Sequence, residues 1–210
     1  MPERYFKGSW LFKVRDFVLS GSERFKGKYK GVSFELSNVI ASSVSTNDDN
    51  EEVAGGTLFN GVVFACGFNK KLKYRTVILP DTTEEKYGAL IGRWLQKKRR
   101  RKMKLMNMDY PEFEKCFKVY GEDEIETHYV LNHHLMKNIL ELRERLGDEE
   151  MMFSFYLKNF VVFSQNFYSF SPPDAAYLQN FKHIKYDFEV IKFYISIIED
   201  LKLNEKLWEV

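Results

Sequence analysis

The densest binding chemistry in the chain is Lys97-Lys98-Arg99-Arg100-Arg101-Lys102 with Lys104, seven cations in eight residues. Such a run recognises anions or is simply solvated. It follows a helix predicted over 84–96, where cations complement the helix dipole by roughly 0.3 to 1 kcal/mol each at most, so a solvated helix end is the simplest account. An anionic membrane surface offers about 1 kcal/mol per basic residue near it, a larger total. Nucleic acid fits less well, because no aromatics interleave with the run to stack bases. The chain as a whole carries no attracting field either, with 32 basic and 30 acidic residues for a formal charge of +2.

A second cluster is Glu122, Asp123, Glu124, Glu126 and His128. Read as a strand over 125–131, it turns Glu124, Glu126 and His128 to one face, which makes Glu126 and His128 weak candidates for a metal. Ile125, Tyr129 and Leu131 fill the other face, so a solvent-facing side of a strand is the simpler reading, and no metal is assigned. His133 and His134 fall in the first turn of a predicted helix, where neighbours point about 100° apart and do not chelate one ion together. Cys66 and Cys116 lie in apolar surroundings without a Cys-x-x-Cys spacing and read as reduced, buried thiols. No Gly-x-Ser-x-Gly elbow or phosphate-binding glycine loop is found. Gly55-Gly56 and Gly61 read as turns or close-packing positions. No catalytic residue and no cofactor are assigned, and the chain leans away from an enzyme.

These residues need elements to place them. With 210 residues, 44% of them apolar, and 19 Phe and 12 Tyr, the chain can form one core as a single domain over 1–210. Residues 5–20 read as an N-terminal helix or an irregular lid. Phe25 to Val44 reads as two strands, and 45–56 as an exposed polar loop. Thr57 to Phe68 and Tyr74 to Leu79 read as a central hairpin with both faces covered. Pro80 and Asp81 then start the 84–96 helix. Strand pieces follow at 105–108 and 115–120 around a turn at Tyr110-Pro111-Glu112-Phe113. Asn132 caps a second helix with a stripe of Leu135, Met136, Ile139, Leu140, Arg143 and Leu146, and Gly147 stops it. Met152 to Leu157 and Phe160 to Phe163 form a hairpin about Lys158-Asn159. A last helix over 187–201 buries Phe188, Ile191, Tyr194, Ile195, Ile198 and Leu201. The expected fold is α+β: an antiparallel or mixed sheet of about seven strands with three main helices packed on it.

Several strings then resemble one family: Leu58-Phe59-Asn60-Gly61 with Phe64, Phe68-Asn69-Lys70-Lys71, Arg75 through Asp81, Tyr110 through Tyr120, Glu124 through Leu131, and Ile198 through Asn204 with Trp208. In order and spacing they resemble the bacterial domain of unknown function 3137, from about Leu11 to Trp208. The resemblance implies no activity and no functional residue, and many members of that family carry transmembrane helices upstream. This chain differs at Thr127-His128, where Ala-Arg is more usual, and at its start. No apolar run reaches the roughly 18 to 20 residues of a membrane span, and Met1-Pro2-Glu3-Arg4 opens no signal peptide. A cytoplasmic protein, membrane-associated through its surface, is expected.

The leading functional expectation is a non-enzymatic interaction module, peripheral to the cytoplasmic membrane or docking on a protein partner there. Its contact would be Lys97, Lys98, Arg99, Arg100, Arg101, Lys102 and Lys104. Alternatives are an enzyme or small-ligand protein whose site joins residues distant in sequence, and nucleic-acid binding through the run. The sequence carries no indication of oligomeric state.

Overall fold

The computed structural model describes residues 3–12, 17–21, 24–46, 52–81, 103–146, 151–165 and 181–203. Its strands are β1 (Phe17–Ser20), β2 (Arg24–Tyr29), β3 (Val32–Thr46), β4 (Glu52–Gly67), β5 (Thr76–Pro80), β6 (Lys104–Met106), β7 (Phe117–Gly121), β8 (Met151–Tyr156) and β9 (Asn159–Gln165). Its helices are α1 (Glu3–Ser9), α2 (Pro111–Glu114), α3 (Glu124–Val130), α4 (His133–Leu146) and α5 (Phe181–Asp200). All nine strands join one antiparallel sheet in the order β1-β3-β4-β9-β8-β5-β7-β6, with β2 pairing the same edge of β3 as β1 does. The fold is α+β as expected, with nine strands and five helices among the described residues where about seven and three were expected. The predicted 84–96 helix and the Gly147 stop lie outside the described residues.

The pleat explains why the central strands are apolar on both sides. Along β4, Val62, Phe64 and Cys66 enter a large core with Ile139 and Leu142 of α4 and Tyr194 and Ile198 of α5. Val63 and Ala65 point the other way, into a smaller core with Phe6 of α1, Leu11, Phe59 and Phe163. Helices thus cover both faces, and strands buried on both sides lose the alternation of half-exposed ones. In the smaller core Phe6 stacks on Phe12 at 4.2 Å and meets Phe163 edge-on at 5.6 Å. Among the described residues no helix is long and apolar enough to cross a membrane.

Several expectations are corrected. β4 and β5 do not form a hairpin, because β9 and β8 lie between them. The chain between the two laces over the tip of the β8–β9 hairpin, where Phe68 N–H donates to Lys158 O (2.9 Å) and Leu72 N–H to Leu157 O (2.7 Å). That hairpin turns at Leu157-Lys158, one residue earlier than predicted, with Tyr156 opposite Asn159 and Leu157 at φ 54°. The predicted 45–56 loop is shorter at both ends, since β3 and β4 stay paired out to Thr46 and Glu52 through register shifts near Ser42, and residues 47–51 lie outside the described residues. Residues 5–20 are not one helix: α1 ends at Ser9, and β1 follows on the sheet edge.

The 125–131 strand is instead the helix α3. Asp123 caps it, with Oδ1 accepting from Glu126 N–H at 2.8 Å. Its buried residues are Thr127 and Val130, three apart, while Ile125 is 83% exposed. The final helix begins at Phe181, six residues before its predicted start, and its buried stripe is Val190, Tyr194, Ile197 and Ile198 with Leu201 just beyond. Phe188, expected inside, is 62% exposed.

Candidate functional site

Lys97 through Lys102 lie outside the described residues; Lys104 opens β6 and is exposed. Among the described residues β6 ends the sheet and pairs only with β7, with Lys104 opposite Gly121 and Leu105 opposite Tyr120. Met103 is buried in the smaller core and Met106 in the larger, so the chain after the basic run is pinned on both faces of the sheet within four residues. Between these anchors Leu105 is 52% exposed. A groove of about 380 Å³ runs beside the strand, lined by Lys104, Leu105, Met106, Asn107, Glu122, Asp123 and Glu124.

The carboxylates on this side serve as structural ties. Glu122 Oε2 accepts from Arg75 N–H at 3.0 Å, and its own N–H donates to Arg75 O at 3.1 Å. Glu126 accepts from Tyr74 N–H (2.6 Å) and Lys73 N–H (3.1 Å), fastening α3 to the chain that enters β5. His128 stands two residues further along the helix, about 200° away, so the proposed strand face that joined Glu126 and His128 does not exist. Among the described residues no group of three or more His, Cys, Asp or Glu could hold a metal ion. Thr127 packs beside Thr76, with hydroxyls 3.3 Å apart, over Gly121, where a Cβ would lie 2.1 Å from Thr127 Oγ1.

Elsewhere, His133 packs tilted against Tyr110 with centroids 4.3 Å apart, and His134 Nε2 lies 3.3 Å from Asn138 Nδ2, so the two histidines face different neighbours. Cys66 is buried in the large core, which pushes its thiol pKa up. Cys116, expected to be buried, is half-buried, and Arg143 Nη1 donates toward its Sγ at 3.5 Å. A second groove, about 420 Å³, lies between α4 and α5 and is lined by Asn138, Glu141, Glu144, Arg145 and Asp200. Its polar groups fasten the two helices: Arg145 pairs with Asp200, and Asn138 donates to Asp200 O.

One cluster had no sequence signal. Arg75 lies 3.8 Å from the Trp10 ring centroid and 5.2 Å from that of Tyr156. Burial lowers the guanidinium pKa, opposed by Glu122, and pushes the Tyr156 phenol up to about 12. Arg75 Nε is buried with no hydrogen-bond partner among the described residues, and Trp10 takes φ 60°. Residues 10, 75 and 156 meet only through the sheet, beyond the reach of any local spacing rule.

The family described as Protein of unknown function (DUF3137) matches residues 57–203. No curated protein matches the chain. Among solved structures, the mycobacterial trehalose monomycolate transport factor A, TtfA, matches at 7% identity with a TM-score of 0.43, covering 87% of this chain and 75% of that one. A likeness that loose carries no function across.

Proposed function

This chain belongs to the DUF3137 family of proteins of unknown function, and from that premise we propose that it is a non-enzymatic interaction module, peripheral to an anionic membrane surface, with Lys97 to Lys104 as its contact. The observation that carries the reading is the segregation of charge. Seven of the chain's cations fall in eight residues, and without them the formal charge of +2 would become −5. A body whose net charge is negative once its densest basic segment is set aside is drawn to an anionic surface through that segment. The run ends at Met103, whose burial ties it directly to the sheet. Beside the anchor, Lys104 and Leu105 offer a cation and an exposed apolar side chain at the outermost strand. That pairing suits a lipid interface, where charge and apolar burial both contribute.

The test is cosedimentation with vesicles rich in phosphatidylserine and with neutral phosphatidylcholine vesicles. We expect binding to the anionic vesicles alone, weakening as salt shortens the Debye length from about 10 Å at 0.1 M toward about 3 Å at 1 M. Changing Lys98, Arg99, Arg100 and Arg101 together to Ser removes about 4 kcal/mol, roughly a thousandfold in partition. Equal pelleting of variant and wild type would sink the reading, as would equal binding to neutral vesicles.

A further inference from the structure

The sheet edge opposite β6 carries a second concentration of positive charge. β2 runs Arg24-Phe25-Lys26-Gly27-Lys28-Tyr29 along β3, and every side chain before Tyr29 is exposed. Its pleat sends Arg24, Lys26 and Lys28 to one face, opposite Ser37, Glu35 and Ser33, and Phe25 and Tyr29 to the other. Cations therefore recur along this face about every 6.8 Å, two strand residues apart. It is the same face that α1 covers, and Arg4 of that helix lies near enough to Glu35 to feel its charge. The carboxylate facing the row is Glu35, buried and paired with Arg24 at 2.7 Å. Lys26 and Lys28 have no carboxylate partner among the described residues.

Lysines on a sheet edge commonly serve to prevent pairing with another chain. Arg24 is answered by Glu35, but Lys26 and Lys28 stand on one strand face as neighbouring like charges whose repulsion a counter-charged surface relieves. We propose that Lys26 and Lys28, beside the Glu35-paired Arg24, form a second contact with anionic lipid headgroups, one that turns the α1 face of the sheet toward the membrane. The inference rests on the membrane reading above. Single-stranded nucleic acid fits the row less well, because the aromatics of β2 point away from the cations and leave no stacking platform beside them. Headgroup phosphates in a plane require only cations that point one way. The row and β6 are seven strand spacings apart, roughly 34 Å at about 4.8 Å each. That distance exceeds the Debye length of about 10 Å at 0.1 M salt, so the two contacts act independently.

The experiment compares wild type, Lys26→Ser/Lys28→Ser, the four-serine variant of the basic run, and their combination, all on phosphatidylserine vesicles. The β2 variant is expected to partition roughly 25-fold more weakly, taking about fivefold per lysine, and its effect should multiply with that of the run. Unchanged circular dichroism and thermal midpoint would show that β2 still pairs. If wild type binds and the β2 variant binds equally well, the inference is overturned and the row is edge protection alone. Were wild type not to bind at all, the membrane reading would fall and this inference with it. Loss in the β2 variant with no change in the four-serine variant would uphold the row and overturn the role of the run. Retention of single-stranded RNA through Lys26 and Lys28, with no effect of those residues on vesicles, would also overturn it.

Discussion

At the scale of single residues, the sheet tolerates little change where backbones meet closely. Gly61 sits in β4 opposite Gln165, and a Cβ there would lie 2.1 Å from the backbone oxygen of Ser164. The obstacle is a strand backbone and not a side chain that can swing away. Gly61→Ala should therefore cost about 1–3 kcal/mol, read as a lower urea midpoint at unchanged slope; a shift under half a kcal/mol would show that β9 yields. The sequence offered turn or close packing for this glycine, and only the partner strand decides between them. Tyr156 gives a test of pH. Its phenol is raised from 10.0 to about 12 by burial, with Tyr5 adding to the rise and Arg75 and Arg4 opposing it. The folded state thus holds this proton more tightly than the unfolded one. The stability linked to it is complete below pH 10 and is lost as pH climbs toward 12, up to about 2 kcal/mol. Tyr156→Phe should flatten that part of the alkaline decline, and an identical decline in the variant would argue that Tyr156 titrates normally.

Elements were legible where the signals that form them are local. Asn132 was read as the cap of α4, and its Oδ1 accepts from Leu135 N–H at 2.9 Å. The same logic was available for α3, since Asp123 followed three residues later by Glu126 has the spacing of a capping box. The apolar residues Ile125, Tyr129 and Leu131 alternated convincingly enough to read as a strand, yet Ile125 faces solvent. Asp123→Ala should cost about 1 kcal/mol through the lost cap, measured by thermal unfolding; no change would mean that Glu126 and its two backbone bonds hold the turn alone. The pairing of β4 with β9 was not legible, because neighbours in sequence are the default partners and nothing local marks an inserted hairpin. In α5 the apolar period includes Phe188, but the phase of the helix is set by where Tyr194 meets Phe64, at 5.9 Å. Before Val190 no described side chain of α5 is buried. Its amides from 181 to 189 should exchange with solvent far faster than those from 194 to 200, by hydrogen exchange. Uniform protection along the helix would contradict this.

At the scale of the whole molecule, the question is whether two cores on one sheet make one folding unit. Composition indicated an α+β fold with enough apolar material for one domain, but not that helices would cover both faces. The short α1 carries only one strongly apolar side chain inward, Phe6, and gives no amphipathic stripe long enough to recognise. The architecture itself argues for coupling. Val62 and Phe64 serve the large core while Val63 and Ala65 serve the small one, so β4 cannot release either face without disturbing the other. Phe6 is central to the small core, in ring contact with Phe12, Phe17, Phe59 and Phe163. Phe6→Ala should cost about 3–5 kcal/mol, a large share of the 5–15 kcal/mol typical of a domain. In a Trp94→Phe/Trp208→Phe background, Trp10 reports on the small core while far-ultraviolet circular dichroism follows the helices, which lie mostly over the large one. If the sheet couples the cores, both signals will move together to lower denaturant in Phe6→Ala and remain coincident. A Trp10 transition that runs ahead of the dichroism would mean that α1 leaves first and that the sheet, with its α4 and α5 layer, stands as a unit without it.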